Sequence, residues 1–247
     1  MTFSRIELEQ DKERYALLQA EDRALFQRAL QFVIDSDRYN YAYQWTWCGL
    51  PILQLPQDVL MTQEIISRCR PTVLIETGVA WGGGIALYAS TMDVYGGRLI
   101  IGVDTNLAPS VVKAVEDIGF DTPIELIKGS STDEKVVSHI RSRISEDDCV
   151  MIVLDSNHTH QHVLEELRMY APLVTPGLYC IVSATVLEII PEQSHRPRPW
   201  GHGNNPMTAV SQFLEDNEEF RSDRSIDDRL VMSFNPQGYL QRLASPR

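Results

Sequence analysis

Residues 73–84 read VLIETGVAWGGG: an apolar run ending in the acid Glu76, then a turn containing Gly78, Gly82, Gly83 and Gly84. An apolar strand that passes through glycines into a helix begins a βαβ unit. The glycines permit positive φ and close approach of a ligand to the backbone, and the helix start offers unpaired N–H groups. Spacing narrows the ligand. A dinucleotide fingerprint GxGxxG begun at Gly78 needs glycine at position 80, where the chain has Ala80. No GxxxxGK[ST] run occurs, which excludes a P-loop.

Downstream of this turn, apolar runs of strand length alternate with amphipathic runs of helix length. The pattern predicts strands at 72–76, 98–104, 124–128, 149–155 and 178–184, and helices at 84–95, 109–118, 132–145 and 159–171. Repeated strand–helix units imply right-handed crossovers and an α/β, doubly wound, Rossmann-like sheet. Such sheets bind ligands at the carboxyl ends of their strands. Three acids fall at those ends: Glu76, Asp104 at 28 residues beyond it, and Asp155. An acid at a second strand tip can accept both hydroxyls of a ribose. After the third strand, KGSSTD (128–133) offers Ser130 and Ser131, which either bond an adenine edge or cap the following helix.

Upstream, residues 1–70 form an expected N-terminal helical cap: a helix over 14–34, an aromatic segment, the breaker PILQLPQD (51–58) and a helix over 59–69. Tyr39, Tyr41, Tyr43, Trp45 and Trp47 alternate at period two, which in an extended chain places all five on one face. That face would be a substrate wall, a core contact or a subunit interface. Residues 71–247 form the ligand-binding domain. Within it, PEQSHRPRPWGHGNNP (191–206) reads as a lid, followed by a helix over 207–217 and strand-like runs near 220 and 230–234.

The chain has 247 residues, with 22 Lys+Arg against 34 Asp+Glu and a formal charge of −12. This balance argues against nucleic acid or an anionic membrane as the main partner. No apolar stretch approaches the roughly 20 residues of a membrane helix. The charged, amphipathic start is neither a signal nor a transit peptide. The four cysteines form no CxxC, so neither zinc finger nor disulfide framework is expected, and a reducing cytoplasmic location fits.

The pattern ExGxxxGG from Glu76 to Gly83 resembles the first motif of class I S-adenosylmethionine-dependent methyltransferases. Longer pieces resemble the cephalosporin hydroxylase / rhamnosyl O-methyltransferase family across roughly 40–242: TWCGLPILQLPQDVL (46–60), RPTVLIETGVAWGGG (70–84), IIGVDTN (100–106), VLDSNHTHQHVLEEL (153–167), RPWGHGNNPMTAVSQFL (198–214) and FNPQGYL (234–240). The resemblance implies a methyltransferase fold that binds S-adenosylmethionine, often assembles as a homo-oligomer, and methylates a hydroxyl of a sugar or specialised metabolite. Cofactor contacts then fall to Glu76, Gly78, Gly82, Gly83, Asp104, Ser130 and Asp155.

Family members with a divalent metal would take one carboxylate from the fourth strand tip and a Glu-Asp pair from the fifth. Here the fourth tip has Asp155, but the fifth reads IVSATV (181–186), with Ser183 and Ala184 in place of the pair. Weak or absent magnesium binding is expected. His158 is a candidate general base on the acceptor, or a helix cap; His202, between Gly201 and Gly203 of the lid, either closes over the cleft or is a solvated loop residue. Asp155 lies beside the reacting centre. His158, His160 and His162 suggest zinc, but further ligands are missing nearby. Two readings remain beside the methyltransferase. One is a cofactor-binding member without transfer activity, acting as a partner subunit or non-methylating pathway enzyme. The other is a hydroxylation-pathway component, although no iron facial triad is visible.

Overall fold

The structure, a computed structural model, describes residues 4–244. The expected single N-terminal helix is two, α1 (Arg5–Glu21) and α2 (Arg23–Asp37). They part at Asp22, which leaves helical geometry at φ −80° and ψ 83° and accepts the Leu25 N–H at 2.8 Å. Aspartate is a strong helix-starting residue for this reason, and it outweighs the continuous polar–apolar pattern. The extended aromatic face does not form either. Asn40 takes a left-handed conformation (φ 51°) and Tyr41–Tyr43 close a 3-10 turn. Only β1 (Trp45–Trp47) is extended, paired antiparallel with β2 (Leu50–Ile52). Tyr41 instead packs edge-on against Phe32 and Trp45, with ring centroids 5.3 and 5.4 Å away. Then α3 (Pro56–Cys69) begins on a proline, whose missing N–H costs nothing in a first turn.

The predicted alternation follows as β3 (Val73–Thr77), α4 (Gly83–Met92), β4 (Leu99–Asp104), α5 (Pro109–Glu116), β5 (Ile124–Lys128), α6 (Glu134–Ser142), β6 (Val150–Leu154), α7 (His160–Tyr170) and β7 (Tyr179–Val182). After the lid come α8 (Pro206–Asp216), β8 (Phe220–Ser222), α9 (Arg224–Arg229) and β9 (Tyr239–Arg242). Seven strands form one sheet in the order β5-β4-β3-β6-β7-β9-β8, parallel from β5 to β7. β9 runs antiparallel to both of its neighbours. β3 and β6 are buried at every position because helices cover both faces of the sheet.

The strand expected at 230–234 is absent, and the last strand lies at 239–242. Asp58, fully buried at the start of α3, takes the Phe234 N–H at 2.8 Å, the Tyr239 hydroxyl at 2.9 Å and the Ser233 hydroxyl. A backbone donor spent on a side chain cannot join a ladder. No described helix is long and apolar enough to cross a membrane. Strand order reverses between β3 and β6, which opens a crevice at their carboxyl ends.

Candidate functional site

Glu76, next to last in β3, is 3% exposed. Tyr88 of α4 donates its hydroxyl to Oε1 at 2.7 Å, while Oε2 is buried without a partner. Burial pushes the carboxyl up to about 8; the Tyr88 hydrogen bond opposes this, and the charges of Asp155 and Asp104 add to it. Gly84 leaves room for this carboxyl, since a Cβ on it would stand 2.4 Å from Glu76 Oε1 and force the carboxyl to shift. Gly78 (φ 91°) lets the β3 and β6 tips touch: a Cβ there would meet the Asp155 carbonyl oxygen at 2.1 Å.

Gly82 and Gly83, assigned to a ligand by the motif, lack a Cβ for reasons internal to the protein. Added carbons would come within 2.8 Å of the Val115 side chain and 2.2 Å of the Pro51 carbonyl oxygen respectively. Asp104 braces the same turn, accepting the Ala80 N–H at 2.9 Å and the Asn106 N–H at 2.7 Å. Ser130 and Ser131 do not cap α6, because the helix starts two residues late and Asp133 accepts the Lys135 N–H instead. The Ser130 hydroxyl pairs with that of Thr132 at 3.0 Å, and Ser131 reaches His162 at 3.1 Å.

The three histidines serve three different neighbours. His160 bonds Thr208 at 2.8 Å and Gln212 at 3.0 Å, joining α7 to α8. His162 lies 3.1 Å from Ser156 and 3.5 Å from the buried Glu166, whose hydrogen bond raises its pKa above the usual value. His158 alone faces the crevice: Nε2 is 3.2 Å from Asp155 Oδ1, and the ring packs against Trp200 with centroids 5.0 Å apart. Both His158 and Asp155 line a cavity of about 430 Å³, walled also by Val33 and Ile34 of α2, Tyr43 and Phe234.

The lid is pinned at two points. Asp37, the last residue of α2, accepts from Gln193 at 2.6 Å and pairs with His195 at 2.9 Å and with the Arg196 guanidinium. Glu188 holds the other end through the Gly203 N–H at 2.9 Å and the Asn205 amide. Between these anchors Trp200 is laid on His158. His202, for which the sequence left closure over the cleft and a solvated loop position both open, is 80% exposed, lies 3.1 Å from Glu188 and does not line the cavity. Replacing Asp37 with Ala is expected to free residues 193–196. Limited proteolysis should then cut the lid several-fold faster than in the wild type, with little change in the far-UV spectrum.

The tips of β6 and β7 carry a single carboxylate, Asp155. Opposite it stand Ser183, whose buried Oγ has no partner, and Ala184 in a left-handed conformation (φ 59°). Among the described residues no group of three His, Cys, Asp or Glu is placed to hold a metal ion. Magnesium asks for near-octahedral oxygen coordination, and this donor set does not fit it. Asp37, Tyr88 and Asn235 escaped the sequence reading; only Asn235 had a signal, its place in FNPQGYL (234–240).

The family model Rhamnosyl O-methyltransferase/CmcI matches residues 39–243. The rhamnosyl O-methyltransferase of Mycobacterium tuberculosis is 25% identical over 201 residues, covering 80% of this chain and 78% of the relative. Among solved structures, apo CmcI superposes with a TM-score of 0.58 at 18% identity, covering 82% of this chain and 78% of the other. CmcI with Mg and SAM gives a TM-score of 0.57 at 18% identity, covering 84% of each chain. Since the match runs from just after α2 to just past β9, over most of the chain, the chain belongs to the rhamnosyl O-methyltransferase/CmcI family.

Proposed function

We propose that the protein is an S-adenosylmethionine-dependent O-methyltransferase that methylates a hydroxyl of a small sugar or natural-product acceptor without a bound metal. The observation that carries the reading is the crevice itself. Gly78 brings Glu76, whose Oε2 has no partner, and the His158–Asp155 pair to adjacent strand tips. Relatives named as rhamnosyl O-methyltransferases and a CmcI structure solved with SAM support it.

The cofactor, when bound, supplies an electrophilic methyl on its sulfonium and carries an α-ammonium. Glu76, once ionised, is the acid for that ammonium. Asp104 has lone pairs left beyond its two backbone bonds and would take the ribose hydroxyls, and Ser130 would take an edge of the adenine. In the cavity, the 3.2 Å bond to Asp155 engages Nε2 of His158 and leaves Nδ1 free to take the proton from the acceptor hydroxyl. Asp155 orients the ring and stabilises its charged form. Trp200 fixes the ring from above and narrows the access of water. His202 has no part in this scheme.

Calorimetry tests the reading at its first step. One S-adenosylmethionine is expected to bind per chain, with an affinity unchanged by a chelator. Absence of binding refutes the proposal, and binding without transfer to any hydroxyl acceptor favours the non-transferring member. A cytoplasmic location is consistent with the four cysteines, all free thiols.

The protein also reads as a homo-oligomer. α1 spans 17 residues with none buried, yet exposes Tyr15, Leu17 and Leu18. Its contacts run to α9, where Gln19 donates to the Asp228 and Arg229 carbonyls at 3.2 Å, and a helix that buries so little of itself is marginal in water. Light scattering should give a multiple of the 28.0 kDa chain mass, and the pair Leu17→Asp with Leu18→Asp should shift it toward one chain.

A further inference from the structure

Two donors in the cavity wall have no acceptor. Ser183 is 4% exposed and Asn235 1%. Both line the cavity that holds Asp155 and His158, and neither Ser183 Oγ nor Asn235 Nδ2 has a hydrogen-bond partner. The orientation of the Asn235 amide follows from its neighbour. Its Oδ1 accepts the Ala184 N–H at 3.0 Å, so the opposite end is the NH₂ group.

The surrounding segment holds these donors in place. The Ser233 hydroxyl accepts the Asn235 N–H at 2.8 Å, and the Thr185 hydroxyl donates to the Pro236 carbonyl at 2.6 Å. The Phe234 carbonyl accepts the Val186 N–H at 3.1 Å. Gly238 fits where a Cβ would stand 2.2 Å from the Val182 carbonyl oxygen. Residues 233–238 thus clamp the β7 tip, and the amide cannot turn without losing its bond to Ala184. Buried donors without partners are rare in folded proteins, and each calls for a cause. Here two belong to residues that line one cavity together with the proposed base.

We propose that Ser183 Oγ and Asn235 Nδ2 form an oxygen-binding subsite that holds the acceptor beside His158 with two donated hydrogen bonds. The Asn235 NH₂ is a donor only and the Ser183 hydroxyl can turn to donate, so the subsite favours an oxygen rich in electron density. The acceptor therefore presents a carbonyl, ether or hydroxyl oxygen next to the hydroxyl that is methylated. Ser183 and Asn235 are specificity-determining residues under the methyltransferase reading, on which this inference rests.

The test is crystallographic, on the full chain saturated with S-adenosylhomocysteine. Crystals are soaked with methyl α-L-rhamnopyranoside or, separately, with manganese(II) as an anomalous scatterer. The expected result is an oxygen, from the sugar or from water, within hydrogen-bond distance of both donors, and no manganese peak at Asp155. In Ser183→Ala and in Asn235→Asp, which keeps the acceptor for Ala184, that oxygen is lost or displaced; Ser183→Thr retains it. Manganese bound between Asp155 and Ser183, donors paired only with protein groups, or an oxygen unmoved in Ser183→Ala overturns the proposal. Density for S-adenosylhomocysteine in every crystal separates failure of the subsite from failure of the cofactor reading.

Discussion

Glu76→Gln is expected to weaken S-adenosylmethionine binding by about 30- to 100-fold, the loss of a charge-assisted hydrogen bond worth about 2–3 kcal/mol in a buried site. The substitution is nearly isosteric and keeps Oε1 as the acceptor for Tyr88, so the free protein should unfold at a similar temperature. The wild type should show a pH dependence that the variant lacks. Burial holds the Glu76 carboxyl up to about 8 in the free protein, so at pH 7 it carries a proton that must leave when the cofactor's ammonium arrives. Affinity should therefore rise about tenfold per pH unit below 8, since each pKa unit corresponds to about 1.4 kcal/mol. It should pass a maximum there, because an α-amino group itself titrates near 8.

For the stability of the free protein the sign is opposite. A carboxyl whose folded pKa exceeds its unfolded one contributes fully below the unfolded pKa, and that contribution is lost as pH rises toward about 8. Saturating cofactor should reverse the loss. Calorimetry at pH 7 in buffers of different ionisation enthalpy reads the released proton directly. A Glu76→Gln protein that binds as tightly as the wild type would remove this residue from the site.

His158→Ala is expected to lower the rate of methyl transfer by about 10²- to 10⁴-fold, the usual contribution of a positioned general base. Affinity for the cofactor should change no more than about twofold, because in the proposed scheme the ring faces the acceptor. Asp155→Asn should cost less in rate, roughly 10²-fold, since it weakens the orientation of the ring while leaving the base present. The limb of the pH–rate profile belonging to the base should vanish in His158→Ala and persist, displaced, in Asp155→Asn. Equal loss of rate and of cofactor affinity in His158→Ala would instead make the residue structural. His202→Ala serves as the control and should leave the rate within about threefold, as expected for an exposed side chain held by Glu188.

The strands were legible because their signal is local. A strand covered on both faces reads as a near-continuous apolar run, as β6 does throughout and β3 does up to Glu76. The acids at the tips could be placed from sequence for the same reason: where the apolar run ends, the next residue stands at the crevice. Errors arose where a single side chain overrode a pattern. Asp22 broke a helix by taking a backbone N–H, Asn40 turned an alternating aromatic segment, and Asp58 drew the 230–234 region out of the sheet.

By itself, the sequence determined the order of strands and helices, the crevice with Glu76, Asp104 and Asp155 at its edges, and the absence of the second and third carboxylates at the β7 tip. Only the tertiary structure decided which histidine is the base candidate, what pins the lid and which buried donors lie unpartnered beside the cavity. His158 and His202 look alike in sequence, yet one lies on Asp155 and the other on Glu188. Asp37 meets Gln193 across 156 residues, and Asn235 meets Ala184 across 51. Such pairings follow from how helices and sheet pack as solid bodies, and no periodicity along the chain records them.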